Sequence, residues 1–347
     1  MTHLLIRADA NTMMGTGHIM RCLALAQAWQ AHGHSVTFIS HQLLPDALRQ
    51  RLESEGITLI LHNLALGSVE DALHTIRLVQ DDQALLVVDG YHFDSAYQKI
   101  LFDAGIEFLF IDDNADLGPY YARWIVNQNS YAERSLYPEV QPDTELLLGS
   151  PYALIRKEFH QWRDWQRTIP PKAQQLIMTL GGSDADNVTM KCIQALESFS
   201  DDLHITVILG GSNPHYDTIM AYVERHHLPI QLKRNVSDMA QQIVEADCAI
   251  TAGGSTNWEM CLLGLPCVMI ILAQNQVATA RDLDQRGVAK NLGWHQQVTF
   301  KAIQDTLHKL IHDQALRQSM SRKGQLLVDG HGSERITDKL IQSVRQA

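Results

Sequence analysis

The sequence predicts an α/β protein built from two doubly wound, parallel-sheet units, and three observations carry that prediction. Short apolar runs alternate with stretches of helical periodicity along most of the chain. The alternation breaks once, at a polar and aromatic stretch ending in Pro170-Pro171, and then restarts. With 347 residues, 45% of them hydrophobic and only 19% charged, the chain is long and apolar enough for two cores.

The first half reads as strand Leu4 to Ala8 then helix Ile19 to Ala31, strand Val36 to Ser40 then helix Leu43 to Leu52, and strand Ile57 to Leu61 then helix Val69 to Val79. Apolar runs at Leu85 to Asp89, Phe108 to Ile111, Trp124 to Asn127 and Glu145 to Leu148 extend the series. Strands that are apolar throughout, joined by helices, predict a parallel sheet covered on both faces. After the prolines come strand Leu176 to Leu180 and a helix from Ala185, strand Ile205 to Leu209 and a helix from Pro214, and strand Ile230 to Lys233 and a helix from Met239. Strand Cys248 to Thr251 with a helix from Asn257, and strand Cys267 to Leu272 with a helix from Gln276, complete the second unit. From Phe300 onward the pattern is helical, interrupted near Asp329-Gly330-His331-Gly332. The expected division is 1–155, 172–330, and a terminal helix 331–347 that packs back on the first unit.

Composition removes several classes of function. A net charge of −11 without any basic run argues against a nucleic-acid partner. The longest apolar run, Cys267 to Ala273, is too short to span a bilayer, and the opening residues lack the pattern of an export signal, so no membrane insertion is expected. Five cysteines, odd in number and without a C-x-x-C pair, read as buried thiols of a cytoplasmic protein. A phosphorylated small molecule remains possible, held by backbone N–H groups.

Three glycine turns could supply those donors. Arg7 to Cys22 runs from a strand through Gly15-Thr16-Gly17 into a helix that carries His18 in its first turn. The positive end of a helix favours a neutral imidazole there, as a general base requires. The turn resembles the start of a dinucleotide fingerprint, but its third glycine is missing and the second strand ends without an acidic ribose ligand, which argues against NAD. In the second half, Gly181-Gly182-Ser183-Asp184 and Gly253-Gly254-Ser255-Thr256 both follow strands and lead into helices, the arrangement of a pyrophosphate cradle. Glu259 falls in the first turn of its helix, where capping and ribose binding are equally open readings. Asp112-Asp113 reads as a site wall or loop cap rather than a metal site, because no ligand-spaced cluster accompanies it. By pattern alone Tyr91-His92 and Asn275-Gln276, at strand ends, read as structural.

With the motifs placed, the chain resembles the UDP-2,4-diacetamido-2,4,6-trideoxy-β-L-altropyranose hydrolase family of pseudaminic acid biosynthesis. The resemblance rests on Arg7-x-Asp9 with Gly15-x-Gly17-His18-x-x-Arg21, Val88-Asp89-x-Tyr91, Asp112-Asp113 and Asn127-x-Asn129-x-Tyr131. It continues through Tyr152-Ala153-Leu154-Ile155-Arg156-x-Glu158-Phe159, Gly181-Gly182-Ser183-Asp184, Ala252-Gly253-Gly254-Ser255-Thr256-x-x-Glu259 and Asn275-Gln276.

The resemblance implies a GT-B fold of two Rossmann-like domains facing a cleft, akin to glycosyltransferases, and a UDP-sugar substrate. It implies inverting hydrolysis of the C1–O bond with no metal or other cofactor. His18 matches the catalytic base, while Tyr91 and Asn275 match residues lining the sugar and water site. Ser255, Thr256 and Glu259 match the nucleotide-binding loop and helix. Arg7, Asp9, Gly15, Gly17, Asn129, Arg156, Gly181, Gly182 and Gln276 are expected to complete the substrate surround. The alternatives are a glycosyltransferase or epimerase on the same fold, or a nucleotide-sugar binding protein without catalysis. The sequence does not fix oligomeric state, a monomer being the default.

Overall fold

The computed structural model describes residues 2–11, 14–182, 184–199, 203–211 and 213–346. These residues form two compact units. One comprises Met1–Asn11, His18–Lys157 and Gly330–Ala347, the other Thr12–Gly17 and Glu158–Asp329.

The first unit holds a seven-stranded, all-parallel sheet in the order β3-β2-β1-β4-β5-β6-β7. Its strands are β1 (His3–Ala8), β2 (Ser35–His41), β3 (Thr58–His62), β4 (Leu85–Asp89), β5 (Phe108–Ile111), β6 (Trp124–Asn127) and β7 (Glu145–Leu148). Helices α1 (Gly17–Ala31), α2 (Asp46–Ser54), α3 (Val69–Asp82) and α4 (Ser95–Asp103) connect the first five. Alternate side chains of β1 feed opposite cores: Leu4 and Ile6 pack with Ile19, Leu23 and Trp29 of α1, and Leu5 packs with Ile39, Leu86 and Tyr97. Burial on both faces is why these strands carry continuous apolar runs.

The second unit repeats the design with six parallel strands ordered β10-β9-β8-β11-β12-β13. These are β8 (Gln175–Thr179), β9 (His204–Leu209), β10 (Ile230–Arg234), β11 (Cys248–Ala252), β12 (Cys267–Ile271) and β13 (Ala289–Trp294). Around them lie α5 (Val188–Leu196), α6 (Tyr216–Arg225), α7 (Met239–Glu245), α8 (Thr256–Leu262), α9 (Val277–Gln285), α10 (Phe300–His312) and α11 (Gln314–Leu327). The polar stretch before the prolines is tied down by Arg167, which donates to the carbonyls of Ile243 (2.7 Å) and Leu263 (2.8 Å), groups that helix C-termini leave unpaired. The last helix, α12 (Gly332–Gln346), belongs to the first unit, where Ile336 and Leu340 lie in the core with Ile19 and Leu154.

Three of the differences from the sequence reading have a direct physical cause. Helix α2 begins at Asp46 because Pro45 is its N-cap, and the residue before a proline avoids helical geometry. Helix α5 begins at Val188, not Ala185, because Asp184 caps it by accepting from the amides of Val188 (2.8 Å) and Thr189 (2.9 Å). Strand β13 escaped the reading because it is an edge strand interrupted by Lys290, Asn291 and Gly293. All five cysteines are buried free thiols. Among the described residues no helix is long and apolar enough to cross a membrane.

Candidate functional site

In the first unit the chain runs outward from β1 through β2 to β3 and then returns to β4 on the other side of β1. Between the carboxyl ends of β1 and β4 the connections therefore diverge, leaving the crevice where open α/β sheets bind ligands. His18, in the first turn of α1, and Asp89, the last residue of β4, both stand there.

His18 is 5% exposed, and its Nδ1 lies 2.7 Å from an oxygen of the fully buried Asp89 carboxylate. A carboxylate can only accept, so this contact calls for a proton on Nδ1, while Arg21, which can only donate, also lies 3.1 Å from that nitrogen. Among the described residues none hydrogen-bonds Nε2. Arg21, one turn along α1, donates to both oxygens of Asp89 at 2.6 Å and to Asp113 at 2.7 Å. Burial alone would raise the Asp89 carboxyl, but Arg21 and His18 outweigh it and hold the group well below the usual carboxylate range. Tyr91, 45% exposed, sets its ring edge-on to His18 at 4.7 Å between centroids and donates its hydroxyl to Asp113 at 3.1 Å. Desolvation of that hydroxyl and the Asp113 charge push the phenol above its normal range, so it stays protonated at neutral pH. Burial and the Asp89 charge do the same to the Cys22 thiol, which donates to Asp89 at 3.3 Å and is no nucleophile.

Several expected ligand-binding residues make contacts within the first unit. Arg7 is fully buried and makes a bidentate pair with Asp71 (2.9 and 2.8 Å) while also donating to Asp9 at 2.6 Å. Asp9 accepts further from His92 (2.9 Å) and the amide of His41 (2.6 Å). Both side chains are thus saturated within the unit, and they fix the loops after β1, β2 and β4. Asn129 and Tyr131 donate to the backbone carbonyl of Asp113, at 3.0 and 2.9 Å. Asp112 caps its own loop through the amides of Asn114 (3.0 Å) and Ala115 (3.1 Å). Gly15 has a φ of +79°, a conformation only glycine adopts without strain, and Gly17 opens α1. Arg156 is buried just before the division of the units at Lys157.

The second unit has its own switch point, between β8 and β11. Gly181, with a φ of +89°, and Gly182 follow β8, while Gly253, Gly254, Ser255 and Thr256 follow β11. Ser183 lies outside the described residues. The amide end of α5 is capped by Asp184, which accepts from Val188 and Thr189, and by the N-cap Asn187, which accepts from Met190. The turn after β11 is different. Asn257 donates to the carbonyls of Ala252 and Gly254, both at 2.7 Å, and turns them inward. Among the described residues no acceptor pairs with the successive N–H groups of Gly254, Ser255 and Thr256, and the side chain of Ser255 does not cap α8. Gln276 fixes this turn through one side-chain oxygen that accepts from Gly253 (3.2 Å) and from Leu272 after β12 (2.9 Å). A Cβ at Gly253 would come within 2.7 Å of Gln276, so only glycine fits. Glu259 is buried in the first turn of α8, and Asn275 lies on the short 3-10 turn Gln274–Gln276. The structure therefore joins Tyr91 to His18 in the first unit and places Asn275, the third expected catalytic residue, on the second.

The sequence reading missed the parts that make His18 useful. Asp89 and Arg21 stood in its motifs without a role, Asp113 was read only as a site wall or loop cap, and Asp71 was not singled out at all. One signal was present: a carboxylate ending the apolar run Leu85 to Val88 is too costly to bury unpaired.

Residues 176–336 match the glycosyltransferase family 28 C-terminal domain. The chain is 27% identical over 287 residues to the UDP-2,4-diacetamido-2,4,6-trideoxy-beta-L-altropyranose hydrolase of Campylobacter jejuni, covering 82% of this chain and 97% of that one. It is 24% identical over 337 residues to the spore coat polysaccharide biosynthesis protein SpsG of Bacillus subtilis, covering 96% of each. In fold it matches the S. aureus MnaA–UDP co-structure with a TM-score of 0.68 at 12% identity, covering 100% of this chain and 98% of that one. The chain thus has the GT-B type of fold, two parallel-sheet Rossmann-like units, matches the family 28 domain over residues 176–336, and resembles the UDP-2,4-diacetamido-2,4,6-trideoxy-β-L-altropyranose hydrolases.

Proposed function

We propose that the protein hydrolyses a UDP-sugar, with UDP-2,4-diacetamido-2,4,6-trideoxy-β-L-altropyranose as the substrate its relatives favour, and that it works in the cytoplasm on the route to pseudaminic acid. The observation that carries this reading is the His18–Asp89 pair at the switch point of the first unit, with Nε2 free of hydrogen bonds from the described residues. Binding alone does not call for an oriented imidazole. Hydrolysis does.

In the proposed step His18 Nε2 takes a proton from water as the water oxygen bonds to C1. The C1–O bond breaks with its electron pair going to UDP, and the sugar is released with inverted configuration. UDP is a good leaving group once its diphosphate charge is met, so no protein acid is required. The amides of Gly254, Ser255 and Thr256 are placed to meet that charge, at roughly 3 kcal/mol for each well-aimed donor. Tyr91 and Asn275 line the sugar and water, and Glu259 reaches the ribose. No divalent metal takes part in this scheme; activity that chelation abolishes and a divalent ion restores would contradict it.

A panel of UDP-sugars incubated with enzyme and water, without acceptor, tests the reading by UDP release. Release with the altropyranose derivative, and proton NMR showing the inverted anomer first, supports it. UDP formed only when an acceptor is added would identify a transferase, and interconversion of sugars with UDP still attached would identify an epimerase.

A further inference from the structure

We infer that Asp113 is the positioning residue that locks the catalytic cluster, setting both Tyr91 and, through Arg21, the Asp89 carboxylate that orients His18. The inference rests on the hydrolytic reading for its kinetic consequence but on geometry for its substance. One carboxylate oxygen, Oδ2, receives both the Arg21 guanidinium at 2.7 Å and the Tyr91 hydroxyl at 3.1 Å. Arg21 is the only described side chain that reaches both carboxylates, and its remaining donors grip the two oxygens of Asp89. Asp113 is itself clamped, because its backbone carbonyl accepts from Asn129 and Tyr131 on the loop after β6. Thus the loops after β4, β5 and β6 and the first turns of α1 meet at one residue.

Without Asp113, the Tyr91 hydroxyl loses the carboxylate oxygen to which it donates at 3.1 Å. The half-exposed ring is then held less firmly at the edge of His18, and Arg21 loses one of its three carboxylate contacts. Displacing a reacting group by about 1 Å is enough for a rate loss near 100-fold. All of these contacts lie within the first unit, and nucleotide affinity is expected to be unchanged.

The test compares Asp113→Ala, Asp113→Asn, Tyr91→Phe and the Asp113→Ala/Tyr91→Phe double variant of the full chain. Each is assayed for UDP release and for UDP affinity by calorimetry. The expected result is a kcat lower by about 100-fold in Asp113→Ala with UDP affinity unchanged. Asp113→Asn, which still offers an oxygen to Tyr91, should recover part of the loss, and the double variant should be no slower than the slower single variant. Additive losses, or wild-type kcat in a folded Asp113→Ala protein, would overturn the inference. A second readout needs no turnover: in protein labelled at the tyrosine ring carbon bearing the hydroxyl, the Tyr91 resonance, assigned with Tyr91→Phe, should move in Asp113→Ala. If no UDP-sugar is hydrolysed by the wild type, the hydrolytic reading fails, and this resonance alone decides: a shift sustains the positioning role and an unmoved line refutes it.

Discussion

At the residue scale, the chemistry comes down to which atoms of one histidine are occupied. Asp89 calls for a proton on Nδ1, so replacing the carboxylate with an amide removes the preference for that tautomer while keeping the shape. Asp89→Asn should therefore lower kcat by about 10²–10⁴ with little change in UDP affinity, as steady-state kinetics and calorimetry would show. The same ion pairs set the acid limit of the fold. Asp9 and Asp89 have carboxyls held well below their unfolded value near 3.9, so their contribution is complete at neutral pH and is lost as pH falls below about 4. Urea midpoints measured between about pH 6 and pH 3 should fall more gently in Asp9→Asn than in wild type, although the variant starts less stable. His18 and the serine and threonine of the β11 turn could be singled out because each follows an apolar strand in a glycine-rich setting, whereas Tyr91 read as structural by pattern and entered only through the family resemblance. Asp71 was not, because nothing local marks a residue that meets Arg7 from 64 positions away.

At the scale of elements, the strands were read nearly to the residue, since burial on both faces writes an uninterrupted apolar run into the sequence. Helix starts were read less well, because a cap depends on where a side chain turns back, as Asp184 does on α5. Turns carry the ligand-facing groups, and their shape depends on close contacts that pattern does not display. Gly210, after β9, is one: a Cβ there would come within 2.3 Å of the Gly182 carbonyl oxygen. Gly210→Ala should displace the Gly181-Gly182 turn, at a cost of about 1–3 kcal/mol in unfolding free energy. Gln276→Leu would strip the acceptor from two amides, Gly253 and Leu272, at about 1–3 kcal/mol each, and loosen the turn that carries the free N–H groups. UDP calorimetry on the Gln276→Leu protein should show weakened binding; unchanged affinity would mean that the β11 turn does not hold the nucleotide.

For the whole molecule, the chain order and the units do not coincide. The apolar periodicity of the tail was plain in the sequence and carried the expectation that it packs back on the first unit, but not which face it covers, because a helix at the end of one unit can satisfy its apolar stripe on any exposed face. Helix α12 lies in the first unit's core, where Ile336 and Leu340 are fully buried and Gly332 sits against the backbone of Tyr152 and Ala153. Burial of that kind contributes roughly 1.5–3 kcal/mol per side chain. Deleting 330–347 should accordingly destabilise the first unit and leave the second protected, a difference that hydrogen exchange resolved by segment would display. Equal loss of protection in both units would show that the tail supports the molecule as one. The division of labour follows the same lines: the first unit presents an oriented base and the second a row of free amides, and the central claim is that these are two separable functions. UDP release and UDP binding measured side by side on His18→Ala test it most directly. The account predicts that turnover falls by about 10²–10⁴ while UDP affinity stays at the wild-type value; a folded His18→Ala protein that still hydrolyses the sugar nucleotide at near the wild-type rate would contradict it.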